Sequence, residues 1–130
     1  KGRLPMPVTG AATIVSSFGV HKHSEWNVST NSSGIDIQAE RSSDIRSVFD
    51  GEVSRIIAFP GYNNCVILRH GDYYTFYANI INVYVKKGQK VKTGQPLGKI
   101  YADSDTGIAS MHFQLWKQTT KLDPEPWLRR

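Results

Sequence analysis

Gly34-Ile35-Asp36-Ile37-Gln38-Ala39-Glu40 alternates apolar and polar residues without a break. Ile35, Ile37 and Ala39 fall on one face, and Asp36, Gln38 and Glu40 on the other. That is the pattern of a half-buried strand, and its wet face is free to carry chemistry. The same period recurs downstream. Residues 45–49 and 52–59 are separated by Asp50-Gly51, a dipeptide suited to tight turns because both positions tolerate positive φ, so a hairpin is expected there. Pro60-Gly61 marks the next turn, and residues 64–69 and 73–80 predict a second strand pair across His70-Gly71-Asp72. Residues 111–117 predict a last strand, and 122–128 a docked tail pinned by Trp127 after Pro126.

Residues 85–98 have another rhythm, with apolar residues and glycines recurring every three positions. Neither a helix nor an ordinary strand has that period. Successive turns do, with Gly88 and Gly94 supplying conformations costly for other residues. No window shows helical periodicity, so the chain reads as one all-β domain over residues 1–130.

Composition agrees with a folded soluble domain: 39% hydrophobic and 21% charged residues in 130. No run approaches the roughly 18 consecutive apolar residues of a membrane span. The net charge of +5 comes from scattered residues, apart from Lys86-Lys87, Lys90, Lys92 and the Arg129-Arg130 end. That distribution reads as a mildly cationic surface and not a nucleic-acid footprint. A single cysteine, Cys65, excludes an internal disulfide, and its apolar neighbours predict a buried thiol. The abrupt start at Lys1-Gly2-Arg3 predicts the C-terminal part of a longer protein.

Four histidines raise the question of a metal. A catalytic zinc needs three protein ligands and an open position for water. Taken alone, Asp36 and His112 are unremarkable, and nothing in the spacing brings them together.

An ordered set of segments, however, resembles the lysostaphin-type (LytM) zinc endopeptidases, which cut peptide cross-links of bacterial peptidoglycan. The set runs through Leu4-Pro-Met-Pro-Val8, Phe18-Gly19, Gly34-Ile35-Asp36-Ile37, Val48-Phe-Asp-Gly51-Glu-Val53 and Val66-Ile-Leu-Arg-His70-Gly71. It continues with Tyr77-Ala78, Val91-Lys-Thr-Gly94-Gln-Pro-Leu-Gly98, Met111-His112-Phe113 and Asp123-Pro124-Glu125-Pro126-Trp127-Leu128. The resemblance covers nearly the whole chain. It implies an antiparallel β-sandwich with a groove over one sheet, and a hybrid-motif hairpin formed by the three-residue repeat.

The departures from the family pattern bear on function. Where the active family has His-x-x-x-Asp, this chain has Ser32-Ser33-Gly34-Ile35-Asp36. Where it has His-x-His, the chain has Ser110-Met111-His112, and Tyr-Ala-His-Leu appears as Tyr77-Ala78-Asn79-Ile80. By this correspondence the metal positions are Ser32, Asp36 and His112, of which two keep a ligating side chain. Both catalytic histidine positions, Asn79 and Ser110, have lost theirs. Losing one general acid or base typically removes about 10²- to 10⁴-fold in rate. His21 and His23, expected on a loop near the groove, are the imidazoles left to supply a third ligand.

The expectation is therefore a pseudoenzyme with no cofactor, zinc being possible only through those two histidines. Within the family the chain resembles the degenerate EnvC-like activators of murein hydrolases. That resemblance implies a bacterial periplasmic or envelope location, and an N-acetylmuramoyl-L-alanine amidase as partner during cell-wall remodelling or daughter-cell separation. The groove expected to receive the partner comprises Ser32, Asp36, Tyr62, Tyr77, Asn79, Ser110, His112 and Trp116, with Trp26 on an overhanging loop of residues 24–33. Aromatic anchors among small polar groups are the usual make-up of such surfaces. Two other readings stand beside it: a zinc endopeptidase with an altered site, and a plain peptidoglycan-binding module.

Overall fold

The alternation of residues 34–40 is realised as a strand, one of twelve among the described residues, ten in one sheet and the other two in a separate pair. A computed structural model describes the backbone of residues 2–23, 28–61 and 63–129, and the side chains of 2–19, 32–61 and 63–129. The strands are β1 (Ala12–Ser16), β2 (Gly19–His23), β3 (Val28–Ser32), β4 (Ile35–Ala39), β5 (Asp44–Arg46) and β6 (Gly51–Phe59). They continue as β7 (Asn63–His70), β8 (Tyr73–Val83), β9 (Lys90–Val91), β10 (Pro96–Ile100), β11 (Ala109–Lys117) and β12 (Thr120–Leu122). Among the described residues the one helical element is a 3-10 turn at Glu125–Trp127, and no helix is long and apolar enough to cross a membrane.

Strand pairing is antiparallel throughout, in the order β1-β4-β11-β8-β7-β6-β9, with β12 on β11. β8 carries the chain between two layers. Residues 73–78 pair with β7 and β11, whereas Ile80, Asn82 and Val83 pair with β10, which in turn holds β5. The core lies between these layers. Ile35, Ile37, Val66, Leu68, Met111 and Phe113 face Val8, Ile45, Val48, Leu97 and Ile100, all at most 2% exposed.

The hairpin expected across Asp50-Gly51 does not form. β5 pairs with β10 instead, and Ser47 bonds through its backbone to Gly94 and Gln95. Asp50 ends the crossing by accepting bonds from the Thr93 amide at 2.7 Å and hydroxyl at 2.9 Å, and Gly51 then opens β6 against β9. The dipeptide marks a change of direction, but non-local pairing decides where the flanking strands go.

The repeat of residues 85–98 does make two successive tight turns. Gln89 donates its amide hydrogen to the Lys86 carbonyl and Gln95 donates to Lys92, each at 3.0 Å. Gly88 and Gly94, at φ 88° and 83°, occupy the third position of each turn, where a type II turn requires positive φ. Each glutamine amide oxygen also accepts from the first residue's N–H, at 3.1 and 3.0 Å.

The long loop expected over residues 24–33 is half strand: β3 pairs with β2 from Gly19↔Ser32 to His23↔Val28. Trp26 and the side chains of His21 and His23 lie outside the described residues.

Candidate functional site

The wet face of β4 and the same face of β11 meet at Asp36. In register, Asp36 lies opposite His112, and His112 opposite Ala78 on β8. Two residues along β11, Gln114 faces Phe76 and Ile67; two further on, Trp116 faces Tyr74, which faces Arg69. The pleat therefore lays three cross-strand rows over the sheet, polar at one end and aromatic at the other.

The polar end is a cleft of about 450 Å³ lined by Ser32, Ser33, Asp36, Phe59, Phe76, His112 and Gln114. Here the structure brings together the three positions aligned with the family's metal ligands. His112 Nδ1 lies 2.8 Å from Asp36 Oδ1, with the imidazole 19% and the carboxylate 44% exposed. Ser32 turns away: its hydroxyl donates to the Gly34 carbonyl at 2.8 Å.

The rest of the network determines the histidine tautomer. Trp116 Nε1, which can only donate, bonds Gln114 Oε1 at 2.8 Å. The Gln114 amide nitrogen is thereby placed against Ser33 Oγ at 2.9 Å and His112 Nε2 at 3.1 Å. Both are amide N–H donations, so Nε2 of His112 accepts, and Nδ1 carries the proton and donates it to Asp36. The continuous chain runs Asp36–His112–Gln114–Trp116. Phe76 backs it, with its ring edge-on to His112 at 6.3 Å.

This donor set does not fit a catalytic zinc. Among the described residues two ligating side chains are present, their facing atoms are bonded to each other, and the third aligned position holds a hydroxyl already committed to the backbone. Among the described residues no group of three or more His, Cys, Asp or Glu stands close enough to share a metal.

The two positions aligned with catalytic histidines are also occupied structurally. Asn79, at φ 79°, donates to the Ser110 carbonyl at 2.6 Å and accepts from Asn63 Nδ2 at 2.6 Å. Asparagine tolerates that left-handed conformation better than most residues.

Tyr77 is not a groove residue. It is fully buried on the opposite face, its ring edge-on to Phe113 at 5.3 Å, and its hydroxyl bonds Thr75 at 2.9 Å and the Val48 amide at 3.1 Å. Burial pushes its phenol up to about 12. The reason is register: Tyr77 pairs with the core residue Phe113, so the pleat that puts Phe76 and Gln114 on the groove face puts Tyr77 inside, and the positive φ of Asn79 interrupts the alternation only beyond it. Phe76 is the aromatic that reaches the groove. Trp116 does lie on the groove face, and Tyr62 falls outside the described residues.

Gln114 and Ser33 were not singled out from sequence either. Gln114 was legible, since period-2 spacing from His112 puts it on the same face. Ser33 was not, because it precedes β4 in a bend.

Beyond Phe76 and Gln114 the groove continues as a depression of about 590 Å³ over Ile67, Tyr74 and Trp116, with Arg55 and Arg69 along one side. Lys121 on β12 lies over the Trp116 ring at 6.0 Å.

The family model described as Peptidase family M23 matches residues 30–124, most of the chain, including every strand that builds this groove. The chain belongs to peptidase family M23. Among curated M23-type relatives, the uncharacterized lipoprotein YgeR of Escherichia coli is 34% identical over 97 residues, covering 73% of this chain and 38% of that protein. The murein hydrolase activator EnvC of the same organism is 28% identical over 98 residues, covering 75% and 23%. The chain thus spans well under half the length of either. Among solved structures, Helicobacter pylori Csd3 superposes with a TM-score of 0.80 at 28% identity, over 98% of this chain and 35% of that one. The M23 core is shared with these proteins, while the two ligating residues and the committed serine are read from this chain's own geometry.

Proposed function

We propose that this domain is a non-catalytic M23 module that binds and activates a peptidoglycan amidase in the bacterial cell envelope, as one part of a longer protein. The observation that carries the proposal is the Asp36–His112 bond. With Nδ1 donating to the carboxylate and Nε2 engaged by Gln114, the remnant ligands serve each other and the binding face. Hydrolysis also needs an acid or base at the Asn79 and Ser110 positions, and neither residue supplies one near neutral pH. The murein hydrolase activator EnvC, matched over this domain, supports a regulatory role, and relatives named as lipoproteins support an envelope location.

The mechanism is protein recognition. The cleft gives a neutral hydrogen-bonding end, and Phe76 and Trp116 give apolar anchors fixed by bonded neighbours. A partner segment seated there favours the amidase conformation that exposes its own active site, by as much free energy as its preference for that state.

The test is release of dye from labelled sacculi by an N-acetylmuramoyl-L-alanine amidase, with and without this domain. The domain stimulates release, produces none alone, and is unaffected by apo-form preparation. Truncating Phe76 or Trp116 to Ala lowers stimulation by about tenfold or more, the loss expected of an interface anchor. Chelator-sensitive release by the domain alone would refute the reading.

A further inference from the structure

Resting on the groove reading above, we infer that the occupant of the aromatic half of the groove is an acidic amphipathic protein segment: an apolar stripe flanked by carboxylates. The apolar floor is built by register. Ile67, Phe76 and Gln114 form one row and Arg69, Tyr74 and Trp116 the next, across three adjacent strands. At about 4.8 Å per strand the three strands give a floor about 10 Å across, the width of one helix.

Charge decides the class of occupant. Arg55 pairs in register with Ile67, so it extends the first row onto β6, and the second row continues from Arg69 to Glu52 on the same strand. Both are exposed, and among the described residues neither has a carboxylate within ion-pair distance. Glu52 is the cross-strand neighbour of Arg69 but makes no bridge to it, and Arg69 spends only its Nε, on the Gly71 carbonyl at 3.2 Å. On the far side Lys121 caps the Trp116 ring. Among the described residues Asp72 is the one acid lining this depression. Cations therefore flank the floor on both sides, and the guanidinium forks of Arg55 and Arg69 are available for paired contact with carboxylates. Lys121 also covers one face of the indole, which disfavours a flat sugar ring stacked on Trp116 and leaves room for side chains inserted beside it.

The experiment measures binding of the intact chain to an immobilised amidase from about 50 to about 300 mM NaCl, a range over which exposed charge pairs are progressively screened. Three proteins are compared: wild type, Arg55→Glu/Arg69→Glu, and a charge-matched control, Lys86→Glu/Lys87→Glu, in the exposed turn before β9. Wild type weakens severalfold with salt, the control tracks it, and the arginine variant loses about tenfold or more at low salt while its salt dependence flattens. Equal binding by the arginine variant and wild type overturns the inference and leaves the amidase reading intact.

If wild type does not bind the amidase, that reading fails. The inference is then judged on two synthetic amphipathic helices of identical apolar stripe, one flanked by Glu and one by Lys. Preference for the Glu helix, lost in the arginine variant, upholds it, and equal or absent binding overturns it. Soluble muropeptides form the last arm: if they bind, and the arginine variant abolishes that binding but spares both helices, the ligand is cell wall and the inference is wrong.

Discussion

Tyr77 shows how strand register assigns a side chain to the core. In the pattern Phe76-Tyr77 two aromatic residues are adjacent, and the pairing of Phe76 with Gln114 and of Tyr77 with Phe113 sends the first to the groove and the second to the core. The tyrosine thus enters the core and brings a hydroxyl that must be satisfied there. Tyr77→Phe leaves the buried Val48 amide and Thr75 hydroxyl without that partner. The expected cost is about 1–3 kcal/mol, read as a lower urea midpoint at unchanged slope. The His112 tautomer is a second residue-scale expectation: long-range proton–nitrogen NMR finds Nδ1 protonated and Nε2 bare. Gln114→Leu removes the Nε2 partner and the Trp116 acceptor together, shifting both the His112 resonances and the Trp116 fluorescence. Asp36, His112 and Trp116 were legible as groove positions from strand parity and family pattern. Phe76 was not, because nothing local says which of two adjacent aromatic residues faces in.

At the scale of elements, turns were more legible than pairings. The repeat of residues 85–98 announces its turns through Gly88 and Gly94, since few other residues accept those angles at low cost. By contrast Asp50-Gly51 promised a hairpin that non-local bonding replaced, with β10 claiming β5. The contact that makes this possible is a close crossing. A Cβ on Gly98 would collide with the Asn82 carbonyl oxygen and the Ile80 side chain on β8. Gly98→Ala is therefore expected to destabilise by about 1–3 kcal/mol through overpacking, more than alanine at most exposed sites, and differential scanning calorimetry measures it.

Across the whole molecule, the titratable group whose protonation bears on stability near neutral pH is the half-buried His70. It bonds the Asp50 carbonyl through Nδ1 at 2.8 Å and Thr75 through Nε2 at 2.8 Å, beneath the Phe49 ring. Burial holds its imidazole below the ordinary value of 6.5, against smaller raising effects from the Asp50 carbonyl and charge. A depressed histidine favours the neutral native state. Its contribution is complete above 6.5 and is lost as pH falls from there through the lowered native value. Urea midpoints should fall across that window in wild type and respond less in His70→Gln. The proposed absence of zinc makes a separate prediction: extended dialysis against chelator leaves the thermal midpoint unchanged, because no structural metal contributes to folding.

Periodicity and turn chemistry, being properties of neighbouring residues, let the sequence by itself determine an all-β chain, the wet face of β4 and the paired turns before β10, and the family resemblance adds the loss of three histidines, at the Ser32, Asn79 and Ser110 positions. Only the tertiary structure decided that Asp36 and His112 bond each other, that Tyr77 turns inward while Phe76 turns out, and that two arginines stand beside an aromatic floor with no carboxylate in ion-pair range among the described residues. Each of these depends on register between strands distant in sequence, which is set by the packing of the shared core and by local breaks such as Asn79. A change of one residue in register moves every side chain to the other face.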